Sequence, residues 1–480
     1  MKTTPARIRQ LWLPFIAFLA ASILFLAFVP VDVPQQEREV WRKGDSLRVG
    51  APEPVRQATV LSPYGPGVEF ELVSRFCEDA PCTTEWVNVE NKDAGFAMLR
   101  RGEIDLLVGF WDDAPRKNTE TGTKDAPGIA AGRAYAHFNP VRVSGAAAPR
   151  PQTGENAARQ APGSALEALA KTFTAFMPAF LIGEQAALAE EKLPFPVFSL
   201  LEGSTDDPGK DILLVDPASY VLWLPFIGEV EMKQVKRQTP YRWFWRNDSS
   251  ALAAFLAAFW ENPTRDAELA ELTERYFGFL PRTLRQRDIL ELSQTLAARL
   301  PEYEPFIMKA ARETGVPPLL LVAAIYQESR FDPSAVSETN VRGIMQLTTN
   351  TARMLDVDRK NPEQCIMGGA RYIRDLFDRI GGKAASDWDR WFMALAAYNQ
   401  GMSNLNRTIR LSQELGGKGD TWTDLKRAFP LSTTCRGVEA RSFVEKIRYY
   451  HFILHGLVAL APSETQDFAP LLGLALSDDF

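Results

Sequence analysis

"VPPLLLVAAIYQESRFDPSAVSETNVRGIMQLT", residues 316–348, runs from an uncharged apolar segment into a glutamate, a polar loop and a second apolar segment. Prolines 317 and 318 suit a helix start, and the segment behind them is apolar on nearly every face, which predicts a buried helix. Leu321, Ile325 and Glu328 fall at i, i+4 and i+7, so the carboxylate shares a face with apolar neighbours. Burial disfavours the anion, and so does the negative end of the helix dipole at the C-terminal turn. Both effects raise the pKa of Glu328. A carboxylic acid that keeps its proton near neutral pH can act as general acid at a glycosidic oxygen. The same position suits equally a surface glutamate at a fraying helix end, or one that caps a neighbouring helix.

The chain around this stretch has 480 residues, enough for more than one core. A formal charge of -6 with no long Lys/Arg block excludes nucleic acid as a main partner. At the N-terminus, Lys2, Arg7 and Arg9 precede an uncharged stretch from Leu11 to Pro30 that is long enough to span a bilayer. The flanking charges predict a cytoplasmic N-terminus and export of the rest of the chain. The long apolar run and poor cleavage sites favour a retained anchor; a cleaved signal peptide is the alternative for residues 1–34. No cysteine directly succeeds the segment, which argues against a lipid anchor.

Four cysteines in an exported chain point to disulfides, Cys77 with Cys82 and, less favoured, Cys365 with Cys435; four buried thiols are the alternative. Neither spacing is C-x-x-C and there are only three histidines, so no metal site is expected. His451 and His455 sit one helical turn apart but lack the glutamate of H-E-x-x-H, and read as ordinary helix residues.

From Ser46, strand-like runs ("SLRVG", "TTEWVNVE", "IDLLVGF", "DILLVD") alternate with helix-like ones ("GVEFELVSRFCE", "AGFAMLRRG", "SALEALAKTFTAFM") to about Gly278, an α/β pattern. The Pro/Gly-rich stretch 144–164 reads as a loop or insertion. From "LPRTLRQRDILELSQTLAARL" onward, helical periodicity takes over, which predicts an all-α body. The expected layout is an α/β domain over 46–280, an all-α domain over 296–460 and a tail over 461–480.

The pieces "LRVG", "GVEFELVSRF", "GEIDLLVGFWDDAPRKN" and "DILLVDPASYVLW" resemble the periplasmic solute-binding proteins that hold amino acids between two α/β lobes. The resemblance implies a two-lobed first domain with Arg116 on a ligand carboxylate and Asp216 on its amino group, a muropeptide or amino-acid ligand being the expectation. "FWDDAPR" lacks the hydroxyl residues usual there. A surface arginine and a strand-end aspartate capping a turn fit these positions as well.

In the second body, "ESRFDPSAVS", "RGIMQLT" and "AAYNQG", in that order, resemble the lytic murein transglycosylases of the soluble-transglycosylase type, which have a lysozyme-like fold. The resemblance implies Glu328 as the single catalytic acid/base. It implies Ser337, Gln346, Tyr398 and Asn399 as residues lining the glycan cleft, Gln346 toward N-acetyl groups. A loop serine, a helix-start glutamine and a helix end capped by Gly401 are the structural readings of the same residues. Ser329, next to the acid, reads as a helix-end cap. The implied substrate is peptidoglycan and the implied products are 1,6-anhydromuramic acid ends, formed with no cofactor; a hydrolytic muramidase of the same fold is the close alternative. A wall-peptide receptor with a weakly active wall-binding domain is the distant one. One departure stands out: Phe443 occupies the place of a tyrosine whose hydroxyl faces the acid in that family.

Overall fold

The computed structural model describes residues 44–52, 62–89, 92–111, 128–138, 141–145, 212–215, 230–234, 239–281, 286–338, 340–432 and 437–460. The anchor segment, most of the loop at 144–164, the helix-like run at 164–177, Arg116, Asp216, Cys435 and the C-terminal tail lie outside them.

The first body is α/β. Its strands are β1 (Ser46–Ala51), β2 (Thr83–Asn88), β3 (Leu106–Trp111), β4 (Ile129–Phe138) and, after three strands of a second sheet, β8 (Thr239–Arg246), in the order β2-β1-β3-β8-β4. Helices α1 (Val68–Asp79) and α2 (Lys92–Arg101) make the crossovers that let β1 pair in parallel with both β2 and β3. Leu47, Val49 and Ala51, which alternate along β1 and so share one face of it, are buried. The remaining pairs, β3 with β8 and β8 with β4, are antiparallel. The second sheet, of β5 (Val141–Gly145), β6 (Ile212–Val215) and β7 (Val230–Gln234), is antiparallel with β5 central. Helices α3 (Ser250–Glu261) and α4 (Arg265–Phe277) come next. Cys77, in α1, is joined to Cys82, their Cα atoms 4.9 Å apart. Glu69, buried in the first turn of α1, accepts a hydrogen bond from Trp243 Nε1 at 2.9 Å, and burial pushes its pKa up to about 8.

The second body is helical: α5 (Gln286–Thr314), α6 (Pro318–Ser329), α7 (Thr349–Met354), α8 (Pro362–Ile380), α9 (Asp387–Gln400), α10 (Met402–Glu414), α11 (Trp422–Ala428) and α12 (Gly437–Leu460). Helix α6 is its axis. Every side chain from Pro318 to Tyr326 is buried, the result expected of a helix with no polar face. Pro301 and Pro305 inside α5 remove two backbone donors from that helix.

The two bodies meet through buried groups. Tyr64 of the first body sits among Phe279, Trp388, Phe392 and His451, with ring centroids 5.1–5.6 Å apart, and its hydroxyl donates to the Arg448 carbonyl at 2.9 Å. Arg448, fully buried on α12, reaches the C-terminal end of α4: it bonds Glu274 Oε1 at 2.8 Å and the carbonyls of Glu274 and Arg275 at 2.8 and 2.9 Å. A cation is well placed at that negative helix end. His451 and His455 are buried in the same helix, and burial holds His451 neutral, its pKa well below the ordinary value.

Candidate active site

Glu328 occupies the last turn of α6, where the apolar helix meets the polar loop. Its carboxyl carries no hydrogen bond among the described residues, and desolvation alone pushes its pKa up to about 8. Tyr398 of α9 and Cys365 of α8 lie close enough to feel its charge. The helix stops at once: Arg330 adopts left-handed φ 51, ψ 40, its amide closing on the Tyr326 carbonyl, and Phe331 succeeds it at φ 61.

The 343–347 turn faces this helix end and is held from three sides by its own carbonyl oxygens. Ser329 Oγ donates to the Ile344 carbonyl at 2.7 Å, Tyr398 Oη to that of Met345 at 2.7 Å, and Arg359 Nη1 to that of Leu347 at 3.0 Å. On the other side of the same turn, the amides of Ile344 and Met345 bond the Cys365 sulfur. Gly343 has φ +83, and a Cβ there would overlap the Arg359 carbonyl oxygen, so only glycine fits. Inside the turn Gln346 sits at φ 47 and spends its amide nitrogen on the Gly343 and Ala335 carbonyls, at 2.9 and 3.1 Å. Its Oε1 has no hydrogen-bond partner among the described residues.

The remaining expected residues lie on the loop before the turn and on α9. Ser337 Oγ accepts the Val341 amide at 3.1 Å and so shapes the 335–343 loop. Asn399 comes after Tyr398 in the last turn of α9, and its Oδ1 is buried without a hydrogen-bond partner among the described residues. The Tyr398 hydroxyl is already committed to Met345, and burial together with the charge of Glu328 keeps it protonated. Phe443 is 6% exposed and packed into the helical core, so α12 offers the acid no hydroxyl from that position.

The expected bridge from Cys365 to Cys435 ends on a residue outside the described ones; Cys365 itself is a free thiol with no exposed surface, its sulfur turned under the 344–345 amides. Ser329 does more than end its helix, since it ties the acid's helix to the turn carrying Gln346. Neither feature, nor the Arg359 contact, has a local signal in the sequence.

Residues 305–420, the segment that holds this desolvated carboxyl and the braced 343–347 turn, match the transglycosylase SLT domain family. Along nearly its whole length the chain is similar to membrane-bound lytic murein transglycosylase F of Vibrio cholerae serotype O1, at 28% identity over 501 aligned residues covering 98% of this chain and 91% of that protein. The protein of the same name from Thiobacillus denitrificans is 37% identical over 243 residues, 48% of this chain and 50% of its own. Among solved structures, an ABC uptake transporter substrate binding protein from Streptococcus pneumoniae with bound histidine matches 48% of this chain and 92% of its own, at 16% identity and a TM-score of 0.28.

Proposed function

We propose that this chain is a peptidoglycan lytic transglycosylase, cleaving the β-1,4 bond between N-acetylmuramic acid and N-acetylglucosamine without consuming water. The observation that carries the reading is the desolvated carboxyl of Glu328, without a hydrogen bond among the described residues, at the end of a buried helix inside the SLT-matched segment. Ordinary glycosidases need two carboxylates flanking the bond. The nearest acid in sequence, Asp332, is taken up in its own turn, accepting from the Ser334 amide at 2.9 Å and the Ser334 hydroxyl at 2.7 Å. These bonds hold its pKa below the ordinary value, so it stays an anion and is no proton donor.

One carboxyl suffices if it acts twice. Protonated Glu328 gives its proton to the glycosidic oxygen as the bond to C1 breaks. The resulting carboxylate then takes the proton of the muramic acid 6-hydroxyl, whose oxygen closes on C1 to form the 1,6-anhydro ring. Atoms balance without water or cofactor. Gln346 Oε1 and Asn399 Oδ1, oxygens with no donor among the described residues, are the acceptors for sugar N–H groups, with Ser337 lining the same cleft. Tyr398 acts by position, through Met345. Mass spectrometry of released muropeptides tests the reading: anhydro ends are expected, and ends one water heavier as the main product would make the enzyme a hydrolase.

The first domain serves, in the same reading, as a receptor for a muropeptide or amino acid through Arg116 and Asp216, a role supported by the resemblance of its sequence to solute-binding proteins. Calorimetry with such ligands should show binding weakened by Arg116→Ala; unaltered binding would place the site elsewhere. Location at a membrane, facing the periplasm, is supported by the Leu11–Pro30 run and by the relatives' name. A mature N-terminus beginning after Pro30 would replace the anchor with a cleaved signal.

A further inference from the structure

The acid's helix ends in two consecutive left-handed residues, Arg330 and Phe331, neither of them glycine. Such a pair is unfavourable by itself and persists only where its surroundings hold it. Much of that hold comes from one helix. On α5, Glu291 pairs with the Arg330 guanidinium at 3.1 Å, Arg299 Nη1 donates to the Arg330 carbonyl at 3.2 Å, and the Tyr303 ring stacks on Phe331 at 6.1 Å between centroids. Residues 291, 295, 299 and 303 form one i, i+4 ridge, and the Thr295 hydroxyl extends it by bonding the Glu291 carbonyl at 2.7 Å. The ridge precedes residue 305, where the SLT match begins.

We propose that Glu291, Arg299 and Tyr303 are positioning residues for the reaction: the α5 ridge grips the left-handed pair and thereby sets the direction and desolvation of the Glu328 carboxyl. This role rests on the reading of Glu328 as acid/base. The three ridge residues act on the two residues that leave the acid's helix, so their loss lets the last turn of α6 relax and water reach the carboxyl. Tyr398 and Cys365, the groups that feel the charge of Glu328, are on other helices than the ridge.

The test uses the full-length protein with Glu291 and Arg299 both changed to alanine. Arg299 is exposed and the Glu291 side chain is 32% exposed, so the fold should survive. On soluble glycan strands, kcat should fall about five- to tenfold with KM within about twofold, the size expected for a small loss of alignment. The alkaline limb of the pH–rate profile should move to lower pH as the carboxyl becomes hydrated. Arg299→Lys, which keeps a donor for the Arg330 carbonyl, should recover part of the rate. A double variant with wild-type kcat and an unmoved alkaline limb overturns the proposal. Carbon-13 NMR titration of Glu328 in the same variant separates this failure from failure of the enzymatic reading. A lowered pKa supports the positioning role even if no anhydro product is made, and an unchanged pKa refutes it even if the enzyme is active.

Discussion

Glu328→Gln should lower turnover on peptidoglycan by roughly 10²–10⁴-fold while leaving glycan binding in place. The amide keeps the size and shape of the acid but has no carboxylic proton to give, and as a neutral group it cannot later accept one from the 6-hydroxyl. The loss should be chemical rather than structural. Glu328 is desolvated and takes no compensating hydrogen bond among the described residues, so the wild-type protein carries a cost that the amide removes. Its pH dependence has a definite sign. The folded-state pKa, about 8, lies above the ordinary 4.5, so between these values the folded form binds more protons than the unfolded one. This contribution is greatest below about pH 4.5 and is lost as pH rises through about 8. Thermal melts across that window should therefore show a downward slope in the wild type that is shallower in Glu328→Gln. Phe443→Tyr is the companion measurement: a rise in kcat would show that a hydroxyl on α12 can orient the acid, and no change would leave that task to the α6 surroundings. A folded Glu328→Gln protein with near-normal lytic activity would end the catalytic assignment.

Arg448→Ala should cost about 3–5 kcal/mol of stability, the range for breaking a buried ion pair from one side. The cost lies in the partners left stranded. Removing the guanidinium leaves Glu274 Oε1 and two α4 carbonyls without their donor, in a place water reaches poorly. Lys426 still bonds Glu274 Oε2 at 2.8 Å, which keeps the expected value toward the lower end. In a melting experiment the change should appear as a fall of roughly 10 °C. Arg448→Met combined with Glu274→Gln removes both charges and should recover a substantial part of the loss, since a buried pair replaced as a unit is often nearly neutral. If Arg448→Ala melts within a degree or two of wild type, the contact between α4 and α12 is not what holds the two bodies together.

Features that depend on local periodicity are legible in the chain before it folds. The switch from alternating short elements to helices near residue 280 is readable because strand and helix patterns repeat at different intervals. Helix α6 is readable because a segment with no polar face has to be covered on all sides, and the position of Glu328 at its end comes from the spacing alone. Which surfaces meet is settled only by packing. Periodicity says that a face is buried but not against what, and the contacts that shape the site join residues far apart in the chain: Ser329 to Ile344, Tyr398 to Met345, Arg299 to Arg330. Cys365 shows the limit most plainly. An even cysteine count argues for bridges, yet the Cys365 thiol is turned inward to two backbone amides, because α8 packs closely under the 343–347 turn and brings the sulfur to those donors. Gln346 changes meaning for the same reason: its nitrogen is consumed in folding the turn, which leaves only its oxygen uncommitted among the described residues.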